Sequence, residues 1–186
     1  MGRIEEIFAD SIAVKQATLS ENRQKIEQAA EMISSAFEQG CKVLIFGNGG
    51  SAADSQHIAA EFIGRFQKER RALPAIALST DTSILTALAN DYHFDIVFSR
   101  QIEGLGQPGD IALGISTSGN SRNVVEAIAR ARQLGLKTIV LTGHGGGQLA
   151  GISDVCLAVP STVTARIQES HLLMAHAVCE LVEAGI

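Results

Sequence analysis

Lys42-Val43-Leu44-Ile45-Phe46 runs directly into Gly47-Asn48-Gly49-Gly50-Ser51, and this junction decides the fold. The first run is apolar after its lysine, as a strand covered on both faces must be. The residues from Ser51 onward take up helical spacing. The glycine run is therefore a strand-to-helix turn. A helix N-terminus offers unpaired N–H groups and the positive end of a dipole, so it favours an anion. About seventy residues on, the arrangement repeats. Asp110-Ile111-Ala112-Leu113-Gly114-Ile115 leads into Ser116-Thr117-Ser118-Gly119-Asn120-Ser121, and a helical pattern follows. Glycines let the backbone approach a ligand closely, and hydroxyls add donors. A plain tight turn accounts for either loop alone. Two loops in one chain, the second carrying the hydroxyls of Ser116, Thr117, Ser118 and Ser121, point to a phosphate held at the carboxyl ends of parallel strands.

Apolar runs near 42–47, 74–79, 110–116, 137–142 and 155–159 alternate with helical patterns near 51–66, 81–90, 95–104, 120–134 and 162–184. This alternation predicts an α/β, doubly wound, flavodoxin-like parallel sheet of five strands with helices on both faces. Right-handed crossovers then put both Gly/Ser loops on one edge. Residues 3–39 read as two helices with a break near Leu19-Ser20-Glu21, and Gly40 suits the C-terminal cap. The leading segment carries Ile4, Ile7, Phe8 and Ile12 before any strand exists to cover them, which suggests packing against other helices or another subunit. No linker or repeat divides the chain, so 1–186 reads as one domain: a helical segment over 1–39 and an α/β core over 40–186. Gly143-His144-Gly145-Gly146-Gly147 reads as a flexible turn.

Composition excludes several classes. Of 186 residues, 46% are apolar and 19% charged, and the net charge is −5, so nothing suggests direct nucleic-acid binding. Lys68-Glu69-Arg70-Arg71, the one basic cluster, reads as a solvated loop. No apolar run is long enough to cross a bilayer, and the acidic N-terminus lacks a signal-peptide core. Cys41, Cys156 and Cys179 are odd in number and scattered, as reduced cysteines of a cytoplasmic protein are. Neither membrane nor nucleic acid is expected as a partner.

Metal-type ligands fall on two helices. His57 and Glu61 are four apart and so share one helix face, where they can bind one divalent ion or form an ordinary surface contact. Gln168 and His176 lie two turns apart on the last helix among apolar neighbours. Polar groups there need partners, and a core histidine bonded to a carbonyl meets that need as well as a metal does. His171, between them, supports a ligand or faces solvent. Asn90-Asp91 reads as a helix-terminating turn, or, if it reaches the active edge, Asp91 serves as an acid–base group.

Taken together, the stretch from Gly47 through Ser51 and His57 to Glu61, then Pro74-Ala75-Ile76-Ala77-Leu78, Asn90-Asp91, Gly114 to Ser121, Leu141-Thr142-Gly143 and Arg166-Ile167-Gln168-Glu169 resembles the phosphoheptose isomerases of the sugar-isomerase (SIS) fold. The resemblance covers nearly the whole chain. It implies isomerisation of D-sedoheptulose 7-phosphate to D-glycero-D-manno-heptose 7-phosphate through an enediolate, in bacterial heptose biosynthesis. It also implies a homotetramer with shared active sites and one zinc ion per site. Carried over, the zinc ligands are His57, Glu61, Gln168 and His176. The phosphosugar cradle is Asn48, Gly49, Gly50, Ser51, Ser116, Thr117, Ser118 and Ser121, with Arg65, Asn90, Asp91 and Gln168 beside it. Glu61 becomes the base and His176 the acid, with Asp91 able to share the proton work. Ala165 stands where some members carry an aspartate. The DnaA initiator-associating protein, a non-catalytic adaptor, resembles the same segments and is the alternative. Retention of Glu61 and His176 favours the enzyme.

Overall fold

The computed structural model describes residues 2–186, and every apolar run named above that follows the first helix becomes a strand or leads into one. In chain order the elements are α1 (Arg3–Glu38), β1 (Val43–Gly47), α2 (Gly50–Ile63), β2 (Ala75–Ala77), α3 (Thr82–Asp91), a 3-10 turn (Phe94–Ile96) and α4 (Ser99–Leu105). They continue as β3 (Ile111–Ser116), α5 (Arg122–Gln133), β4 (Lys137–Thr142), α6 (Gly147–Ala150), β5 (Val155–Ala158) and α7 (Thr164–Ala184). All five strands are parallel, in the order β2-β1-β3-β4-β5.

Successive strand residues point to opposite faces, and both faces are apolar. Val43, Ile45, Leu113, Ile115, Ile139 and Leu141 pack against Ile33 and Phe37 of α1, Ile58 and Phe62 of α2, and Val178 and Val182 of α7. Leu44, Phe46, Ala112 and Val140 face the other layer, against Ile102 of α4, Val124 and Ile128 of α5, and Leu149 of α6. From β1 the chain steps to β2 on one side, then crosses to β3 on the other side of β1. The loops after β1 and β3 therefore flank the topological switch point, where doubly wound sheets bind ligands.

Two local expectations need correction. The break near Leu19 does not exist: α1 is one 36-residue helix. Thr18 and Asn22 interrupt its apolar stripe, but both are buried and satisfied. The Thr18 hydroxyl donates to the Val14 carbonyl at 2.8 Å. The Asn22 amide donates to the Ala158 carbonyl (2.9 Å) and accepts the Ala158 N–H (3.1 Å), completing the edge of β5. The segment 95–104 divides into the 3-10 turn and α4. The stretch Gly143–Gly147 is a turn as expected, with Gly143 and Gly146 buried and His144, Gly145 and Gly147 exposed. Its last residue opens α6, and a Cβ on Gly119 would overlap the Gly146 carbonyl. Gly119 itself has φ +66°, which also favours glycine.

The cluster Lys68–Arg71 is not uniformly solvated either, since the Arg70 side chain is enclosed in an ion pair with Glu183. By contrast, the start of α1 is bare, with Ile4 71% and Phe8 66% exposed. α3 also buries no residue completely, and Tyr92 and Phe94 after it are exposed.

Candidate active site

Gly49 opens α2 with φ +59° and ψ −120°, a conformation that glycine alone adopts without strain, and no side chain caps the helix. The N–H groups of Ser51 and Ala52 turn back to the carbonyls of Asn48 and Gly49, each at 3.0 Å, which tightens the first turn of α2 at the sheet edge. Opposite it, the loop after β3 gathers hydroxyls. Ser116 Oγ lies 2.9 Å from Ser121 Oγ and 3.4 Å from Ser118 Oγ. Ser121 begins α5 without itself capping it by a side-chain bond. Ser116 and Ser51 are buried, Thr117 and Ser121 are partly exposed, and Ser118 is open.

The two loops are joined by a reciprocal amide pair. Asn48 Nδ2 donates to Asn123 Oδ1, and Asn123 Nδ2 donates to Asn48 Oδ1, each at 2.8 Å. Asn123 was not legible as a site residue, because a lone asparagine in the first turn of a helix matches many solvent-facing ones. Asn120 adds a second tie, its Oδ1 accepting the Gln148 N–H at 3.0 Å, which fixes α6 against the hydroxyl loop.

Along α2, His57 and Glu61 do share a face, with Nε2 and Oε1 3.0 Å apart. α7 brings His176 to them, its Nε2 3.2 Å from His57 Nε2. The donor atoms of all three residues lie within 4.8 Å of one another. Ligands bound to a common zinc-sized ion at about 2.0–2.2 Å stand roughly 3.0–3.5 Å apart. The His57–Glu61 and His57–His176 distances fall in that range, and the two-imidazole, one-carboxylate chemistry suits such an ion. Phe66 covers the group from one side, its ring centroid 5.4 Å from that of His176.

Gln168, on the same helix as His176, approaches the start of α2. Its amide nitrogen lies 2.5 Å from where a Gly50 Cβ would be, so it overlies the first turn of α2. This also explains Gly50, since a side chain there would displace the amide. Asp54, one turn before His57, is half-buried; burial raises its carboxyl pKa and nearby His57 partly offsets that. Asp91 and Asn90 end α3 in the open and bond to each other at 2.9 Å, outside the three-donor group. Arg65 is exposed and pairs loosely with Glu69 at 3.7 Å.

His171 is buried rather than solvent-facing. Its Nε2 donates to the Thr142 carbonyl at 2.9 Å, and its Nδ1 has no partner. Burial lowers its pKa to about 4, the carbonyl bond opposing only weakly, so the ring is neutral. Cys179 is buried near Glu61, and burial, aided by Glu61 and Glu183, pushes its thiol up to about 12. All three cysteines are free.

Comparison with known proteins gives a consistent result. A family profile described as the SIS domain matches residues 7–143. A phosphoheptose isomerase of Aquifex aeolicus is 55% identical over 181 residues, covering 97% of this chain and 95% of its own. The solved phosphoheptose isomerase of Neisseria gonorrhoeae superposes with TM-score 0.92 at 47% identity, covering 98% of this chain and 97% of that one. That of Francisella tularensis gives TM-score 0.93 at 39% identity over 99% and 100%.

Proposed function

From the premise that the chain belongs to the phosphoheptose isomerases of the SIS-domain family, we propose how its own side chains carry the reaction. The enzyme isomerises D-sedoheptulose 7-phosphate to D-glycero-D-manno-heptose 7-phosphate, a step of heptose biosynthesis. The observation that supports the detailed reading best is the convergence of His57, Glu61 and His176 from two helices, one of which starts at the glycine loop.

Ketose becomes aldose when a proton leaves C1, an enediolate forms, and a proton returns at C2 while the hydroxyl proton passes from O1 to O2. The phosphate is remote from these atoms. Held by Ser51, Ser116, Thr117, Ser118 and Ser121 with the Gly49-Gly50 backbone, it anchors the sugar so that C1 and C2 meet the catalytic groups. Asn48, locked by Asn123, orients the loop carrying Gly49 and Gly50. Gln168, lying over the first turn of α2, is within the same cradle.

His57, Glu61 and His176 would hold zinc, with Gln168 the fourth ligand implied by the family pattern. When bound, zinc supplies a positive charge that polarises the substrate carbonyl and the adjacent hydroxyl. Glu61 takes the C1 proton and returns one at C2, while His176, through the ring nitrogen turned away from His57, gives a proton to O2 and recovers one from O1. A carboxylate that shares its lone pairs with a cation is a weaker base, so Asp91 is the second candidate for that role.

Asp91 and Arg65 are exposed and outside the three-donor group in one chain. In a homotetramer with shared sites they would reach the site of a neighbour. The bare apolar faces on α1 and α3 support such an assembly. A cytoplasmic enzyme with free cysteines is the matching setting.

The test is incubation of pure protein with sedoheptulose 7-phosphate, with and without chelator. Aldose phosphate should appear, and chelator should stop it. Conversion at full rate in chelator would remove the metal from the account, and no conversion in either arm would favour a non-catalytic adaptor.

A further inference from the structure

Arg70 and Glu183 make the most enclosed ion pair among the described residues, with side chains 7% and 3% exposed and Nε to Oε1 at 3.1 Å. The reaction as derived uses neither. Besides contacts to the carbonyls of Gly64 (3.3 Å) and Arg71 (3.0 Å), Arg70 reaches the end of α2. Arg70 Nη2 donates to the carbonyl of Glu61 at 2.7 Å, and Nη1 donates to the carbonyl of Phe62 at 2.9 Å. These belong to the last turn of α2, where carbonyls lack helical partners and cations are favoured. α2 has no basic residue of its own in that turn.

Glu183 completes the other half. Its carboxylate accepts the N–H groups of Phe66 (2.9 Å), Gln67 (2.7 Å) and Lys68 (2.7 Å). Burial opposes its charge, but those three donors and Arg70 outweigh burial and hold its carboxyl below the usual range. Glu183 lies seven residues beyond His176 on α7, about two turns along the same face. Phe66, whose N–H it accepts, stacks its ring near that of His176. One ion pair therefore joins the backbone of Glu61, the helix carrying His176, and the backbone of Phe66, whose ring lies beside His176.

We propose that the Arg70–Glu183 pair is a positioning device for the three-donor group, fixing the end of α2 against α7 so that His57, Glu61 and His176 stay within reach of one cation. Glu61 is two residues from the end of α2, where helices fray. Without Arg70 the carbonyl that anchors Glu61 loses its partner, and the carboxylate gains freedom. The inference rests on the cation reading above, and the experiment separates the two.

Chelator-stripped wild type, Arg70→Lys and Glu183→Gln are titrated with cobalt(II) alone, read by visible absorption, and separately with inorganic phosphate, read by calorimetry. Circular dichroism checks folding. Wild type should bind cobalt, each variant should bind it about 10- to 100-fold more weakly, and phosphate affinity should stay within about twofold. Arg70→Lys keeps the cation and decides the matter if Glu183→Gln does not fold. Unchanged cobalt affinity overturns the proposal. So does a parallel loss of cobalt and phosphate binding, which signals general loosening. A wild type that binds no cobalt overturns the cation reading itself, and the positioning role with it.

Discussion

The Nε2 atoms of His57 and His176 face each other at 3.2 Å, although 119 positions separate them in the chain. Two imidazoles bring the same ring atom together either by sharing one proton or by sharing a cation. Glu61 beside them at 3.0 Å favours the cation, because it adds negative charge and a third donor. Zinc-loaded wild type should hold one ion per chain by elemental analysis. His57→Ala and His176→Ala should each lose most of it. Equal metal content in all three proteins would contradict the assignment.

The hydroxyl loop should act on binding and not on metal. Ser116 and Ser118 are 3.4 Å apart and both at the loop that faces the start of α2. Losing a bond to a charged group costs about 1.5–3 kcal/mol. Ser116→Ala or Ser118→Ala alone should therefore raise KM roughly 10- to 150-fold, the two together more, and both should leave metal content unaltered. An unchanged KM would move the phosphate elsewhere.

Acid should weaken the fold through His171. Its pKa is about 4 when folded and 6.5 in the ordinary case, so unfolding takes up a proton. The stability it contributes is complete above pH 6.5 and falls as pH drops toward 4, by up to about 1.4 kcal/mol per unit. Urea midpoints at pH 7 and pH 5 should show wild type losing about 2 kcal/mol more than His171→Gln. Parallel losses would mean that other groups govern the acid response.

The isolated chain should not persist as a monomer. Ile4, Ile7, Phe8 and Ile12 are all exposed on α1, more apolar surface than a monomer leaves wet. Phe8→Glu with Ile12→Glu should lower the mass seen by light scattering. A wild type that is monomeric at micromolar concentration would contradict this.

What the sequence disclosed depended on how plainly each residue advertised its surroundings. β4 matches its expected span, Lys137–Thr142, because its apolar centre Ile139-Val140-Leu141 is bracketed by Gly135 and Gly143, which interrupt the pattern on either side. His57 and Glu61 were legible because helical spacing alone makes them neighbours. The meeting with His176 was not derivable from spacing, since it depends on α7 lying against α2. The continuity of α1 was hidden because Thr18 and Asn22 look like surface residues and are in fact buried. Arg70 and Glu183 were hidden for the same reason: a charged side chain reads as solvated until its partner, more than a hundred residues away, is placed beside it.

Glu61 carries the central claim, since it is both the proposed base and one of the three converging donors. Glu61→Gln keeps the shape and an oxygen ligand while removing the basic carboxylate. Turnover of sedoheptulose 7-phosphate by wild type and Glu61→Gln, in one assay with metal content verified, tests it most directly. The account predicts a loss of about 10²- to 10⁴-fold in kcat, in a variant that melts like wild type. Full activity in Glu61→Gln would contradict it and make Asp91 the leading candidate for the base.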